Sequence, residues 1–246
     1  MKSVLITGAN RSIGLETAKQ LSKKGLWVYM GTRDLEKGEA VAAALNKEGF
    51  QSIRAIEIDV TKPATVLAAK SIVEKEQGKL DILINNAGII GTYPQQRATD
   101  TSIEDMQKVF DTNYFGAINV TQTFLELLGK SGSPRISNIT SGLASLTLHS
   151  DPSWKYHAVK TSSYGPAKTA LNAYTIVLAY ELKDTPFKVN VIDPGYTATD
   201  FNHHSGPGTV ESAAAFIIKH TLTGDDGPTG KFFSNDIEDA TEISPW

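Results

Sequence analysis

Tyr-x-x-x-Lys occurs twice in close succession, as YHAVK (Tyr156, Lys160) and as YGPAK (Tyr164, Lys168). Residues four apart share a helix face, so either pair would set an ammonium beside a phenol. A nearby cation favours the phenolate, and such a pair suits proton transfer to or from an oxygen. Local structure separates the two. A helix begun at Tyr156 would soon meet Gly165-Pro166, and an interior proline removes a hydrogen bond and clashes with the preceding turn. A helix begun at Ser162 or Ser163 has a serine to cap it and puts Pro166 in its first turn, where N–H groups lack partners anyway. Around and beyond Lys168, the residues Ala167, Ala170, Leu171, Tyr174, Val177 and Leu178 form an apolar stripe at helical spacing. Lys160 is followed only by the breaker cluster TSS. Tyr164 and Lys168 are the expected pair. His149 to Thr161 is then an insertion, either solvated or lining a substrate mouth.

A second group of residues could hold a phosphate. The apolar run Val4-Leu5-Ile6 ends in TGANRSIG, with glycines at 8 and 14. Gly8 suits a tight turn, and Gly14 suits close approach of helix and strand. The helix start offers free N–H groups and partial positive charge to a pyrophosphate. Gly8, Asn10, Arg11, Ser12, Ile13 and Gly14 are expected to line a dinucleotide. Glycines alone mark many strand-to-helix joints, and placement after the first strand is what singles this one out. The second strand ends at Thr32-Arg33-Asp34. A carboxylate at that tip favours NAD and a cation favours NADP. Arg33, with Arg11 in reach, favours NADP, because a guanidinium grips a phosphate through two hydrogen bonds. In the alternative, both arginines are solvated and Asp34 takes the ribose of NAD. His203-His204 invites a metal. With no third ligand at usable spacing and no cysteine, exposed histidines of a lid over Asp200 to Val210 are expected instead.

The elements that must position these groups follow from periodicity. Strand-like runs at Val4–Ile6, Leu26–Met30, Ile53–Ile58, Leu80–Ile84, Arg135–Thr140, Phe187–Ile192 and Lys231–Phe233 alternate with helical patterns. The helices are expected from about Ile13 to Lys24, Asp34 to Leu45, Ala64 to Glu76, Ile103 to Leu128 (as two), Ser163 to Leu182 and Glu211 to Thr221. Such alternation implies right-handed βαβ units, hence an α/β, doubly wound, seven-stranded parallel sheet (a Rossmann fold) with helices on both faces. The 246 residues suit one domain. The acidic tail Asn235 to Trp246 reads as a frayed end. A net charge of −3 without a basic run argues against nucleic acid. No apolar stretch reaches membrane-spanning length, and the first apolar run is too short for a signal peptide. The lack of cysteine removes disulfides and thiolate chemistry and is compatible with a reducing, cytoplasmic setting.

In this order of motifs the chain resembles the short-chain dehydrogenase/reductase family over nearly its whole length. The family's TGxxxGxG falls on Thr7 to Gly14, with Ser12 replacing the middle glycine. A left-handed backbone there would strain serine. Its Asp-Val falls on Asp59-Val60, its NNAG on Asn85 to Gly88, its helix asparagine on Asn113, its serine on Ser141 and its Pro-Gly loop on Pro194 to Thr199. The family's usual serine-to-tyrosine separation favours Tyr156, 15 residues past Ser141, over Tyr164, 23 residues past it. Local structure favours Tyr164.

The resemblance implies NADP(H)-dependent interconversion of a carbonyl and an alcohol. Tyr164 would act as acid–base, Ser141 as oxyanion donor, Lys168 as the cation that makes the phenol acidic and holds the nicotinamide ribose, and Asn113 as the holder of a water. Asp59, Val60, Asn86, Ala87, Gly88, Pro194, Gly195, Thr197 and Thr199 would contact the cofactor. Segments 89–100, 142–161 and 196–210 would shape a small-molecule substrate site. Pairing through the long helices, as a homodimer or homotetramer, is a further expectation. The alternatives are a catalytically silent NADP-binding regulator, an NAD-linked alcohol dehydrogenase, a sugar-nucleotide epimerase or dehydratase, and an enoyl reductase.

Overall fold

The computed structural model describes residues 1–92 and 96–246. Seven parallel strands form one sheet in the order β3-β2-β1-β4-β5-β6-β7. They are β1 (Ser3–Ile6), β2 (Trp27–Thr32), β3 (Ile53–Glu57), β4 (Ile82–Asn85), β5 (Arg135–Ile139), β6 (Lys188–Asp193) and β7 (Phe232–Ser234). The four residues of β1 are all buried, as expected for a strand covered on both faces. Val4 and Ile6 pack under helices α1 (Ser12–Lys23), α2 (Leu35–Lys47) and α8 (Val210–Thr221). Leu5 faces α3 (Pro63–Gln77), α5 (Gly116–Gly129) and α7 (Tyr164–Glu181). Strand order reverses between β1 and β4, and the crevice beyond their carboxyl ends is where ligands bind in such sheets.

Local signals explain most boundaries. Asp34 caps α2 by accepting from the Lys37 amide. Pro63 opens α3, and left-handed Gly78 closes it. The helical stretch after Ile103 divides as α4 (Ile103–Phe110), one π-helical turn (Asp111–Phe115), then α5. Helix α7 begins at Tyr164, so Pro166 falls in its first turn. Its cap, however, is not Ser163. Thr161 Oγ1 accepts the Gly165 amide at 2.8 Å, and buried Gln96 accepts the Ser163 hydroxyl at 2.8 Å and the Tyr164 amide at 3.3 Å. Leu171 and Leu178 of the predicted stripe are buried, but Val177 lies outward with Ile176 and Tyr180.

A buried polar ladder runs under the strand tips. Asn85 Nδ2 donates to Asn138 Oδ1 and to Thr121 Oγ1, each at 2.8 Å, and Asn138 Nδ2 donates to Thr175 Oγ1 at 2.8 Å. β4 and β5 pair in register at Asn85 and Asn138.

The tail differs from its reading as a frayed end. Ser234 donates to the Glu242 carbonyl, Ser244 donates to that of Phe232, and Phe233 bridges Ile243 antiparallel. Trp246 packs on Phe232, and its carbonyl accepts the Thr147 amide of α6 (Leu146–Ser150). Its polar composition hid this because the anchors are backbone groups along one edge of β7.

Candidate active site

The β1 and β4 tips meet through Thr7, whose Oγ1 accepts the amides of Asn86 and Ala87 at 3.0 Å each. Asn86 returns its Nδ2 to the carbonyls of Thr7 at 2.9 Å and Gly8 at 3.1 Å. A Cβ on Gly14 would stand 2.6 Å from Asn86 Nδ2, and one on Gly8 would stand 2.9 Å from Ala87 Cα. The glycines are therefore needed for close approach. A cavity of about 670 Å³ opens above them. Gly8, Asn10, Arg11, Ser12, Ile13, Gly14, Arg33, Asp59, Val60, Asn86, Ala87, Gly88, Pro194, Gly195, Thr197 and Thr199 all reach it, as do Ser141, Tyr164 and Lys168.

Ser12 has φ 49°, left-handed backbone on a side chain that disfavours it. Ser12→Gly is expected to stabilise the fold by about 1 kcal/mol and raise Tm by about 2–4 °C, read by thermal unfolding.

At the far end of the cavity, Arg11 and Arg33 are exposed and Lys37 stands beside them. Asp34 is already engaged, since its Oδ2 meets Lys37 Nζ at 2.9 Å and its Oδ1 takes the Lys37 amide. Neither arginine forms an ion pair with Asp34.

At the other end the candidate reacting groups converge. Lys168 is 3% exposed and donates Nζ to the Ile139 carbonyl at 2.8 Å. Burial pulls it down to about 8. Its Nζ lies 6.0 Å from the Tyr164 ring centre. The Tyr164 phenol is pushed up, first by burial and then by the Asp193 carboxylate, with the neighbouring Ser141 hydroxyl opposing.

Asn113 is 1% exposed inside the π turn, and both ends of its amide bond Ile89, whose N–H and C=O each lie 2.8 Å away. A Cβ on Gly88 would lie 3.3 Å from Asn113 Oδ1 and 3.7 Å from Lys168 Nζ, which sets all three residues together. Each end of the amide keeps a second hydrogen-bonding position beyond the one Ile89 takes. The amide fixes the chain after β4, and the π turn is what aims it.

Tyr156 and Lys160 do not form a second pair. Lys160 is exposed and donates to the His149 carbonyl at 2.7 Å. Tyr156 lines the cavity between Trp154 and Tyr196, edge to face at 5.6 Å from each. Phe201 packs 5.5 Å from Tyr164. His203 and His204 are exposed, with His204 Nε2 2.9 Å from Asp200. Of the 89–100 segment, residues 93–95 lie outside the described residues.

Sequence reasoning missed Gln96, Asp193 and Asp236. Gln96 joins the Ile90 carbonyl to the start of α7. Gln96→Ala is expected to lower kcat about tenfold or more with cofactor affinity retained, because loosened positioning acts on the reacting geometry. Steady-state kinetics beside NADPH fluorescence titration check this.

Comparison with known proteins agrees with this geometry. A family model described as short chain dehydrogenase matches residues 2–209. The chain is 31% identical to (-)-isopiperitenone reductase of Mentha piperita over 94% of this chain and 96% of that one. It is 28% identical to salutaridine reductase of Papaver bracteatum over 99% and 96%. The NADPH-bound carbonyl reductase from chicken fatty liver superposes with a TM-score of 0.86 at 25% identity, over 100% of this chain and 99% of that one. With its sheet order, crevice and converging side chains, the chain belongs to the short-chain dehydrogenase/reductase family of oxidoreductases.

Proposed function

We propose that the protein is an NADP(H)-dependent reductase that interconverts a small-molecule ketone or aldehyde and its alcohol. The observation that carries this is the convergence of Ser141, Tyr164 and buried Lys168 on one cavity whose far end presents two arginines. The carbonyl reductase of similar fold is NADPH-bound, and the pair Arg11 and Arg33 suits the extra phosphate.

The dinucleotide fits the residues present. The glycine-lined crevice leaves room for it, and the N-terminus of α1, whose Arg11 side chain makes no cap, offers free N–H groups to a pyrophosphate. When bound, the nicotinamide supplies the hydride. The protein does the rest. Ser141 donates a hydrogen bond to the substrate oxygen and stabilises the charge that builds there. Tyr164 gives its proton to that oxygen. Lys168 favours the phenolate left behind. Thr197 or Thr199, both buried, would donate to the carboxamide of the cofactor, and Asp59 and Val60 would border its adenine.

The substrate is held by the aromatic wall of Trp154, Tyr156, Tyr196 and Phe201. Segments 89–100, 142–161 and 196–210 together make that mouth. The outward apolar residues Ile176, Val177 and Tyr180 on α7 are the face through which two copies would pair. The test is oxidation of NADPH, against NADH, over a panel of aldehydes and ketones. Cofactor binding without turnover of any member would favour a regulatory protein instead.

A further inference from the structure

The aromatic wall of the cavity is assembled from segments far apart in the chain, and one side chain of the tail touches two of them. Trp154 and Tyr156 come from the insertion and Tyr196 from the Pro-Gly loop. Tyr156 stands in the middle, edge to face with both, 5.6 Å from each. The outer two are fixed by close packing. A Cβ built on Gly142 would stand 3.3 Å from Trp154 Cζ2, so Trp154 lies against the residue after Ser141. The Tyr196 carbonyl accepts the Gly208 amide at 3.1 Å, and a Cβ on Gly206 would stand 2.6 Å from that oxygen.

The middle ring is held from the tail, by Asp236. The Asp236 amide donates to Ser234 Oγ at 3.2 Å. Its neighbour Asn235 donates its amide to the Asp193 carbonyl at 3.1 Å and Nδ2 to the Pro194 carbonyl at 3.2 Å. Gly195 has φ 80°, and a Cβ there would stand 3.3 Å from Asn235 Cβ and 3.6 Å from Asp236 Cγ. The carboxylate therefore rests on the Pro-Gly loop. From there its Oδ1 reaches the insertion, with Lys155 Nζ at 3.3 Å and the Tyr156 hydroxyl at 3.5 Å. Lys155 Nζ also stands 5.2 Å from the centre of the Tyr156 ring, whose face attracts an ammonium. Carboxylate, ammonium and phenol thus form one closed cluster. The Asp236 side chain is 18% exposed, so salt screens this pair less than an open surface pair.

We propose that Asp236 is a positioning residue that ties the insertion to the Pro-Gly loop, fixes Tyr156 as the middle ring of the wall, and so makes the site selective for bulky cyclic ketones over short open-chain carbonyls. The inference rests on the reading of the cavity as a reductase site. A broad apolar substrate held at Ser141 extends along Trp154 to Tyr156 and gains contact with each ring. Holding the wall in place beforehand removes an ordering cost from that binding. A short aldehyde held at Ser141 ends before Tyr156 and gains nothing from it. The side-chain bonds of Asp236 go to Lys155 and Tyr156, and none goes to Ser141, Tyr164 or Lys168.

The experiment measures steady-state reduction of decalone and of propanal at saturating NADPH, in wild type, Asp236→Asn, Lys155→Met and the double variant. Hydrogen exchange of the 152–160 peptide is followed in parallel, where the amides of Trp154, His157 and Val159 bond carbonyls of the same segment. Wild type is expected to prefer decalone. Asp236→Asn should raise the KM for decalone about three- to tenfold, with kcat, NADPH affinity and the KM for propanal unchanged. Lys155→Met should act in the same direction, and the double variant should fall short of the product of the two, because they share one cluster. Exchange in 152–160 should quicken about threefold or more in Asp236→Asn and stay as it was around the glycine turn.

A wild-type preference for propanal overturns the proposal, as does an equal KM rise for both carbonyls, a fall in kcat or NADPH affinity, or unaltered exchange in 152–160. A normal KM in Lys155→Met beside a raised one in Asp236→Asn also overturns it, by making Asp236 a direct substrate contact. If Asp236→Asn does not fold, Lys155→Met carries the same readouts. If wild type reduces no carbonyl at all, the reductase reading fails, and hydrogen exchange alone decides whether Asp236 holds the insertion.

Discussion

Tyr164→Phe is expected to lower turnover by about a thousandfold, within the range that a positioned proton donor contributes, while NADPH affinity stays nearly unchanged. The substitution removes one oxygen from a half-buried ring that packs on Phe201 and keeps its shape. Nothing near the arginine end of the cavity is touched. Kinetics with saturating ketone, beside fluorescence titration of NADPH, separate the two effects. Comparable turnover in the variant would mean that another group supplies the proton, and Tyr156 on the same wall would be the first to examine.

The second large effect concerns the cofactor's extra phosphate. Arg11→Ala with Arg33→Ala is expected to cut the preference for NADPH over NADH by about a hundredfold or more. Each charge-assisted contact is worth about 1.5–3 kcal/mol. NADH should be used about as well as before, since Asp34 remains tied to Lys37 and to its helix cap. The salt dependence of NADPH binding should weaken alongside. A double variant with its NADPH preference intact would show that both arginines are solvated.

Much of the fold was readable because both of its signals are local. Pro166 decided where α7 starts, and through it which tyrosine stands one helical turn before a buried lysine, against the spacing from Ser141. Gly8 and Gly14 marked the turn because only a missing side chain permits those approaches. Ser12 was readable as a departure, and its left-handed backbone is the strain that the missing glycine would avoid. What stayed hidden is what tertiary contact decides. Asp193 reads as an ordinary residue before Pro-Gly, since the Ser234 hydroxyl that its carboxylate accepts comes from β7, 41 residues further along. Asp236 sits in a polar stretch whose anchors are backbone groups. Gln96 caps a helix that begins almost seventy residues later. The π turn leaves no mark, because one extra residue within a helix changes its face without changing its composition. Only packing shows that Tyr156 of the insertion enters the cavity and Lys160 does not.

The asparagine pair beneath the strand tips bears on how reliably the chain reaches one state. A slip of one position between β4 and β5 would turn Asn85 and Asn138 onto opposite faces. Their amides would then be stranded among aliphatic side chains, a heavy penalty for groups without partners. A purely aliphatic version of the same strands would tolerate such a slip more readily. The ladder therefore acts as a proofreader during assembly. It rejects misaligned sheets before Gly88 and Ser141, only a few residues further along, can arrive at the wrong height.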